Sequence, residues 1–128
     1  MNTAYFDCFC GAAGDMIAAA MLDAGLDKDW LLSELKSLGL EGLEISIEST
    51  VRSGIAAISF KPRACEQKKH RHLSDITKMI TQSGISEHAK KDALEVFKIL
   101  ADAESKIHNI SPEKVHFHEV GAVDSIID

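Results

Sequence analysis

The sequence predicts an α+β fold, in which a small mixed or antiparallel sheet packs against helices within one domain, residues 1–128. Three observations predict it. The length of 128 residues suits one domain. Residues 43–51 alternate apolar and polar side chains, as a half-buried strand does, and apolar residues elsewhere recur at helical spacing. The predicted order β, α, α, β, β, α, α is that of an α+β sandwich rather than of a doubly wound parallel sheet.

The first predicted elements are a strand and two helices. Apolar and aromatic residues predict a strand over residues 4–9, although Asp7 places a carboxylate in its middle, and the run ends at Gly11. A helix follows and ends at Gly25, and a second helix begins with Asp27 as its N-cap.

A hairpin and two further helices come next. Residues 43–51 and 55–60 predict two antiparallel strands, with Pro62 ending the second. A short helix is predicted with Ser74 as its cap, and a longer one begins at Ser86. The long helix carries a predicted apolar stripe of Ala93, Val96, Phe97, Leu100, Ala103 and Ile107.

Residues 120–128 resemble the first turns of a further apolar helix. No Gly or Pro follows to end it, which predicts a truncated chain or a gene divided between two products. We therefore expect residues 1–128 to be the N-terminal portion of a longer protein. An exposed apolar face on this unfinished helix would favour a homo-oligomer.

Composition narrows the class of partner. The net charge of −6 argues against nucleic acid, and no apolar run approaches the roughly 18 residues that a membrane span needs. The first residues have no basic start and include Asp7, so a secretory signal is not expected and the predicted location is cytoplasmic.

Two of the three cysteines are close neighbours. Cys8 and Cys10 are too near each other for a favourable disulfide, so reduced thiols are expected. Small buried thiols are the ordinary interpretation, and a soft metal or a nucleophilic role is the alternative.

Five basic residues lie between positions 61 and 72 and are opposed only by Glu66. They favour either an anion-binding surface or a solvated basic loop.

Residues 8–15 place Gly11 and Gly14 between the predicted strand and helix. Such glycines let backbone N–H groups approach an anion at a helix N-terminus. Asp15 would repel a bare phosphate but could hold a divalent cation that bridges to one. The alternative is a tight turn in which the helix dipole favours Asp15.

Four of the six histidines form two His-x-His pairs, His70 with His72 and His116 with His118. In an extended segment, residues two apart project to the same side, so each pair can offer two imidazoles to one ion. Nickel, zinc and manganese accept such ligands. Glu119, Asp124 and Asp128 follow the second pair; a solvated loop remains the alternative for the first.

Residues 5–16 (YFDCFCGAAGDM) and 116–128 (HFHEVGAVDSIID), with the loop 70–73, resemble the LarC family of nickel-insertion proteins. The resemblance implies nickel insertion, a lyase-type metal insertion, into the pyridinium-3,5-bisthiocarboxylic acid mononucleotide, which forms the nickel-pincer cofactor. It also implies that CTP is consumed with manganese or magnesium assisting. Family members are about three times this length, so the resemblance implies a C-terminal part as partner.

The resemblance assigns candidate roles by motif. The catalytic candidates are Asp15, His118 and Glu119. The cofactor-binding candidates are Asp7, Gly11, Gly14, His70 and His72. The metal candidates are His116, His118 and Asp124. Cys10 stands where the family usually has Ser, and Ala12-Ala13 where Ile-Ser is common.

Two other functions fit the residues. A divalent-metal carrier would bind nickel without regard to CTP, whereas an insertion enzyme would need CTP. A purely structural domain would bind no metal in stoichiometric amount.

Overall fold

The computed structural model describes residues 3–64, 71–117 and 123–128. The helices in this part are α1 (Gly14–Asp23), α2 (Lys28–Lys36), α3 (Leu73–Gln82), α4 (Glu87–His108) and α5 (Val123–Ile127), with a 3-10 turn at Pro112–Lys114. The strands are β1 (Leu43–Arg52), β2 (Ile55–Ala64), β3 (Arg71–His72) and β4 (His116–Phe117). The predicted α+β class with small antiparallel sheets is confirmed. None of the described helices is both long and apolar enough to cross a bilayer.

Strands β1 and β2 form the predicted hairpin. The turn residues Ser53 and Gly54 both have positive φ, which is typical of the tight turns that match strand twist. The prediction that Pro62 ends the second strand is wrong, because β2 continues to Ala64 with Pro62 opposite Ile45. In a sheet of two strands each strand is an edge, where a residue without an N–H group is tolerated.

Helix α1 packs on β2 around Phe60, which is 3% exposed, with Ala19 and Leu22. The predicted strand over residues 4–9 is wrong, since residues 3–8 have no regular structure and a turn follows. No described strand pairs with this segment, and Tyr5 is 88% exposed. A strand is stabilised by backbone hydrogen bonds to a neighbouring strand, so a strand-like sequence pattern without such a partner does not form one. Asp7 is exposed as well, so its carboxylate needs no partner.

A second apolar cluster joins α3, α4, β4 and α5. Its buried members are Ile76, Ile80, Phe97, Ala101, Val115, Phe117 and Ile126. The predicted stripe on α4 is partly wrong, because Val96 is 55% and Ile107 78% exposed. The buried face of α4 is centred on Phe97 and Ala101, to one side of the predicted stripe, because α3 and β4 contact α4 there.

Helix α3 begins two residues earlier than predicted. Its N-cap is His72 rather than Ser74, and the Asp75 carboxylate accepts a hydrogen bond from the backbone N–H of His72 at 3.0 Å. The Asp75 side chain thereby holds the backbone of His72 at the junction of β3 and α3.

Helix α5 contributes to both apolar clusters, through Ile126 to the second and Ile127 to the first. Val123 is also buried. The prediction that this helix exposes an apolar face is therefore wrong, because that face lies in the interior. The homo-oligomer stays a prediction, and this helix no longer supports it. Val120, where the helix was predicted to begin, lies outside the described residues.

Candidate functional site

The most informative feature for function is the short ladder between β3 and β4. These strands are antiparallel, with Arg71 opposite Phe117 and His72 opposite His116. Each strand has two residues, and the pairing brings together segments that are more than forty residues apart in sequence. One member of each His-x-His pair therefore lies at the same place in the fold.

The two histidine rings are in direct contact. The centroids of His72 and His116 are 3.9 Å apart, with their planes inclined by 48°. His72 is half-buried and His116 is exposed, so an ion can reach both from solvent. Imidazole nitrogens bind nickel and zinc well, and two rings this close can share one ion after small side-chain rotations.

The core fixes the backbone beneath these rings. Phe117 is 1% exposed and meets Phe97 edge to face, with centroids 6.0 Å apart. Val115, on the other side of His116, is equally buried. The alternation of buried, exposed and buried residues at positions 115–117 points the imidazole of His116 outward.

His108, which sequence reasoning had passed over, lies near this ladder. It lines a surface depression of about 330 Å³ together with Ile110, Val115 and His116. Its Nε2 is 3.2 Å from a carboxylate oxygen of Glu104. No sequence signal marks it, because its distance from His116 depends on how the chain turns after α4.

The N-terminus of α1 is the second place where predicted residues meet. Gly14 packs against Asp128 so closely that a Cβ added to Gly14 would lie 2.6 Å from the Cα and 2.8 Å from the carbonyl oxygen of Asp128. The backbone N–H of Asp15 donates to the Asp128 carboxylate. The Asp15 carboxylate accepts from the backbone N–H of Met16 at 2.7 Å. An anion arriving here would compete with carboxylates already in place.

The fold also brings Asp124 close to this pair of carboxylates. The pKa of Asp128 is raised, first by partial burial and then by the negative charges of Asp15 and Asp124, against the donated hydrogen bond from Asp15. Three acidic groups from α1 and α5 thus share one region. Within the described residues, however, no three His, Cys, Asp or Glu side chains converge as a metal site.

The turn before α1 carries the remaining described candidates. Gly11 donates its N–H to the carbonyl oxygen of Cys8 at 2.8 Å and has a φ of +81°, which favours glycine. A Cβ at Gly11 would meet nothing within 4 Å, so space for a ligand is open beside it. The predicted burial of Cys8 and Cys10 is wrong, since both are free and exposed, as is the whole segment 3–10.

Three candidates, His70, His118 and Glu119, lie outside the described residues. The basic residues Lys68 and Lys69, and Glu66 that opposes them, also lie outside. Of the described candidates, the fold brings His72 to His116. It also places Gly14, Asp15 and Asp124 around Asp128, which is not itself a candidate.

Comparison with known proteins identifies the family. A family described as nickel insertion protein matches residues 4–128. The chain belongs to this family. The resemblance found in the two motifs is thereby confirmed, since the match extends over nearly the whole chain.

The relatives of this nickel insertion family member carry matching names. A pyridinium-3,5-bisthiocarboxylic acid mononucleotide nickel insertion protein of Desulfitobacterium hafniense is 44% identical over 128 residues, covering 100% of this chain and 32% of that protein. One of the same name from Staphylococcus epidermidis is 44% identical over 124 residues, covering 97% and 31%. A relative from Geotalea uraniireducens is 48% identical over 130 residues, covering 100% and 33%.

This nickel insertion family member thus spans about a third of the length of the curated relatives it matches. No solved structure matches it.

Proposed function

We propose that this chain is the nickel-binding portion of a protein that inserts nickel into pyridinium-3,5-bisthiocarboxylic acid mononucleotide, forming the nickel-pincer cofactor in the cytoplasm. The observation that carries the proposal is the contact of His72 with His116 across the β3–β4 ladder. It joins the two His-x-His motifs of a chain whose family handles nickel. Nickel is the substrate of this reaction.

Two imidazoles suit a metal that must be passed on. They hold nickel through nitrogen and leave other coordination positions for incoming ligands, such as the sulfur groups of the mononucleotide. In the proposal, His70 and His118 serve the same ion, because residues two apart in an extended segment project to the same side. Asp124 supplies a carboxylate in the same role.

The proposal includes CTP, with manganese or magnesium assisting. Carboxylates are the ligands these cations prefer, and Asp15 is the candidate proposed to hold the cation. The described residues do not assemble three such ligands, so this cation fits here only if other residues complete its site. Asp7, Gly11 and Gly14 are proposed to contact the nucleotide, and His118 and Glu119 to act with Asp15 in proton transfer.

A C-terminal part of the length that the relatives have is the proposed partner. The chain covers 32% of the Desulfitobacterium hafniense protein, and the remainder is proposed to contribute to binding CTP and the mononucleotide.

A second candidate function is a metal carrier that turns nothing over. The two-imidazole geometry favours it, because His72 and His116 are the only candidate side chains that the described residues show in ring contact. Two imidazoles can hold an ion but do not by themselves perform chemistry.

The test is a calorimetric titration with nickel and then manganese, on the wild-type chain and on His72→Ala, His116→Ala and His88→Ala. His88 is the matched control, an exposed histidine on α4 that lies 3.0 Å from Asp92 and far along the chain from either motif. All four chains also carry Cys8→Ser and Cys10→Ser, so that no thiol competes for nickel. Stoichiometric nickel binding should be lost in the first two variants and kept in the third. Unchanged binding in His72→Ala and His116→Ala would contradict the proposal.

Turnover separates the two functions. The chain is mixed with nickel, the mononucleotide, manganese and the remaining two-thirds of the Desulfitobacterium hafniense relative, with and without CTP. An insertion protein transfers nickel into the mononucleotide only when CTP is present. A carrier binds nickel equally in both cases and forms no cofactor.

A further inference from the structure

The turn formed by residues 8–11 presents two thiols that the proposed function does not use. The backbone hydrogen bond from Gly11 to Cys8, 2.8 Å long, closes the turn, and the φ of +81° at Gly11 favours glycine there. Residues at the two ends of such a turn have Cα atoms less than about 7 Å apart, and Cys10 lies between them. Both sulfur-bearing side chains are thus attached to one small loop.

The exposure of these thiols is unusual and needs an explanation. Free cysteine is among the most frequently buried residues, because it packs as a small apolar side chain and oxidises when accessible. Here Cys8 and Cys10 are both free and exposed, and Phe9 between them is 89% exposed. Packing therefore does not account for either thiol.

We propose that Cys8 and Cys10 form a two-thiolate site for a thiophilic divalent metal, separate from the pair His72 and His116. Thiolates bind nickel and zinc strongly, and metal–sulfur bonds of about 2.3 Å require the two sulfurs to lie within roughly 4 Å of each other, which cysteine side chains on one turn can reach. Nickel as the natural occupant rests on the proposed function; the thiolate site itself does not.

The charge balance suits loading and release. Each thiol gives up one proton to solvent when it binds, so two thiolates neutralise one divalent ion and two protons are released. No electron is transferred, and no bond to carbon forms or breaks. With two protein ligands, the ion keeps positions for water or for a ligand that takes it away, as an entry site for nickel requires. The open space beside Gly11 leaves the loop accessible to such a ligand.

The experiment is a nickel titration of the reduced 128-residue chain, followed by the near-ultraviolet charge-transfer absorption that sulfur-bound nickel gives and imidazole-bound nickel lacks. In the His72→Ala, His116→Ala double variant, which lacks the histidine site, one equivalent should saturate the band. Cys8→Ser and Cys10→Ser should each abolish the band or weaken nickel binding by more than roughly tenfold. Tenfold is the loss expected for a residue that only hydrogen-bonds to a metal ligand, and a direct ligand should cost more. Circular dichroism of each variant checks that it is folded, as expected for exposed positions.

Two controls make the result specific. Cys65→Ser removes the third thiol of the chain and should leave the band unchanged. His72→Ala with His116→Ala should also leave the band while abolishing the histidine site, so that failure of one site is distinguishable from failure of the other. The proposal is overturned if the wild-type chain shows no charge-transfer band, if Cys10→Ser keeps it, or if Cys65→Ser loses it.

Discussion

Gly14, the first residue of α1, lies against Asp128, the residue that follows α5. A methyl group there would lie 2.6 to 2.8 Å from backbone atoms of Asp128, which cannot rotate away as a side chain can. Gly14→Ala should therefore lower the free energy of unfolding by about 1–3 kcal/mol, as overpacking does. Urea denaturation followed by circular dichroism measures it.

Gly84→Ala is the control for this prediction. A Cβ at Gly84 would meet the side chain of Ser37 at 3.2 Å, a milder contact with a group that can shift. Gly84→Ala should therefore lower the free energy of unfolding by clearly less than Gly14→Ala does. Equal losses in the two variants would show that α1 and α5 are not packed as described.

Asp128 should make stability depend on pH. Its raised pKa means that the folded chain binds this proton more tightly than the unfolded chain does. The contribution to stability is full below the ordinary carboxyl pKa and is lost as pH rises through the raised value, so the ionised group destabilises the fold at neutral pH. Asp128→Asn should then stabilise by a few tenths of a kcal/mol near pH 7, a small effect because solvent screens the exposed charge.

Thermal unfolding at neutral and at acid pH measures this difference. The gain in stability from Asp128→Asn should vanish below about pH 4, where the wild-type carboxyl is protonated and both side chains are uncharged. Glu41→Gln, at an exposed carboxylate between α2 and β1, should show no such dependence. A gain that persists in acid would mean that neither the burial of the Asp128 charge nor its repulsion by Asp15 and Asp124 is the cause.

At the scale of elements, β4 holds His116 in place because its neighbours Val115 and Phe117 are buried. Phe117→Ala should cost about 3–5 kcal/mol, since it removes a ring that packs against Phe97 and leaves a cavity. Phe117→Leu keeps most of the apolar volume and should cost clearly less. Urea denaturation gives both values, and similar values for the two would show that the ring is not part of the core.

The elements also show what sequence can and cannot predict. The alternation over residues 43–51 predicted the hairpin, and Ser86 was confirmed as the N-cap of α4 by its hydrogen bond from Ala89. The strand predicted over residues 4–9 is wrong, because a run of apolar and aromatic residues does not supply a pairing partner. The β3–β4 ladder was missed for the opposite reason, since two residues per strand carry no periodic signal.

At the scale of the whole molecule, α5 links the two apolar clusters and places Asp124 and Asp128 beside α1. The sequence predicted which residue types could bind metal, since the motifs are local. It could not predict that His72 contacts His116 or that His108 lines a depression with His116, because those distances depend on packing across the chain. The family match covers residues 4–128, in which both motifs lie, and leaves each residue's role to experiment.

The central claim is that the two histidine motifs act on one ion, and a double-mutant cycle tests it most directly. Nickel affinity is measured for His72→Ala, His116→Ala and the double variant, all in a Cys8→Ser, Cys10→Ser background so that only the histidine site is titrated. Shared binding predicts that each single change weakens affinity roughly tenfold or more and that the double change adds little, a coupling of about 1 kcal/mol or larger. Losses that simply multiply, or no loss at all, would contradict a shared site.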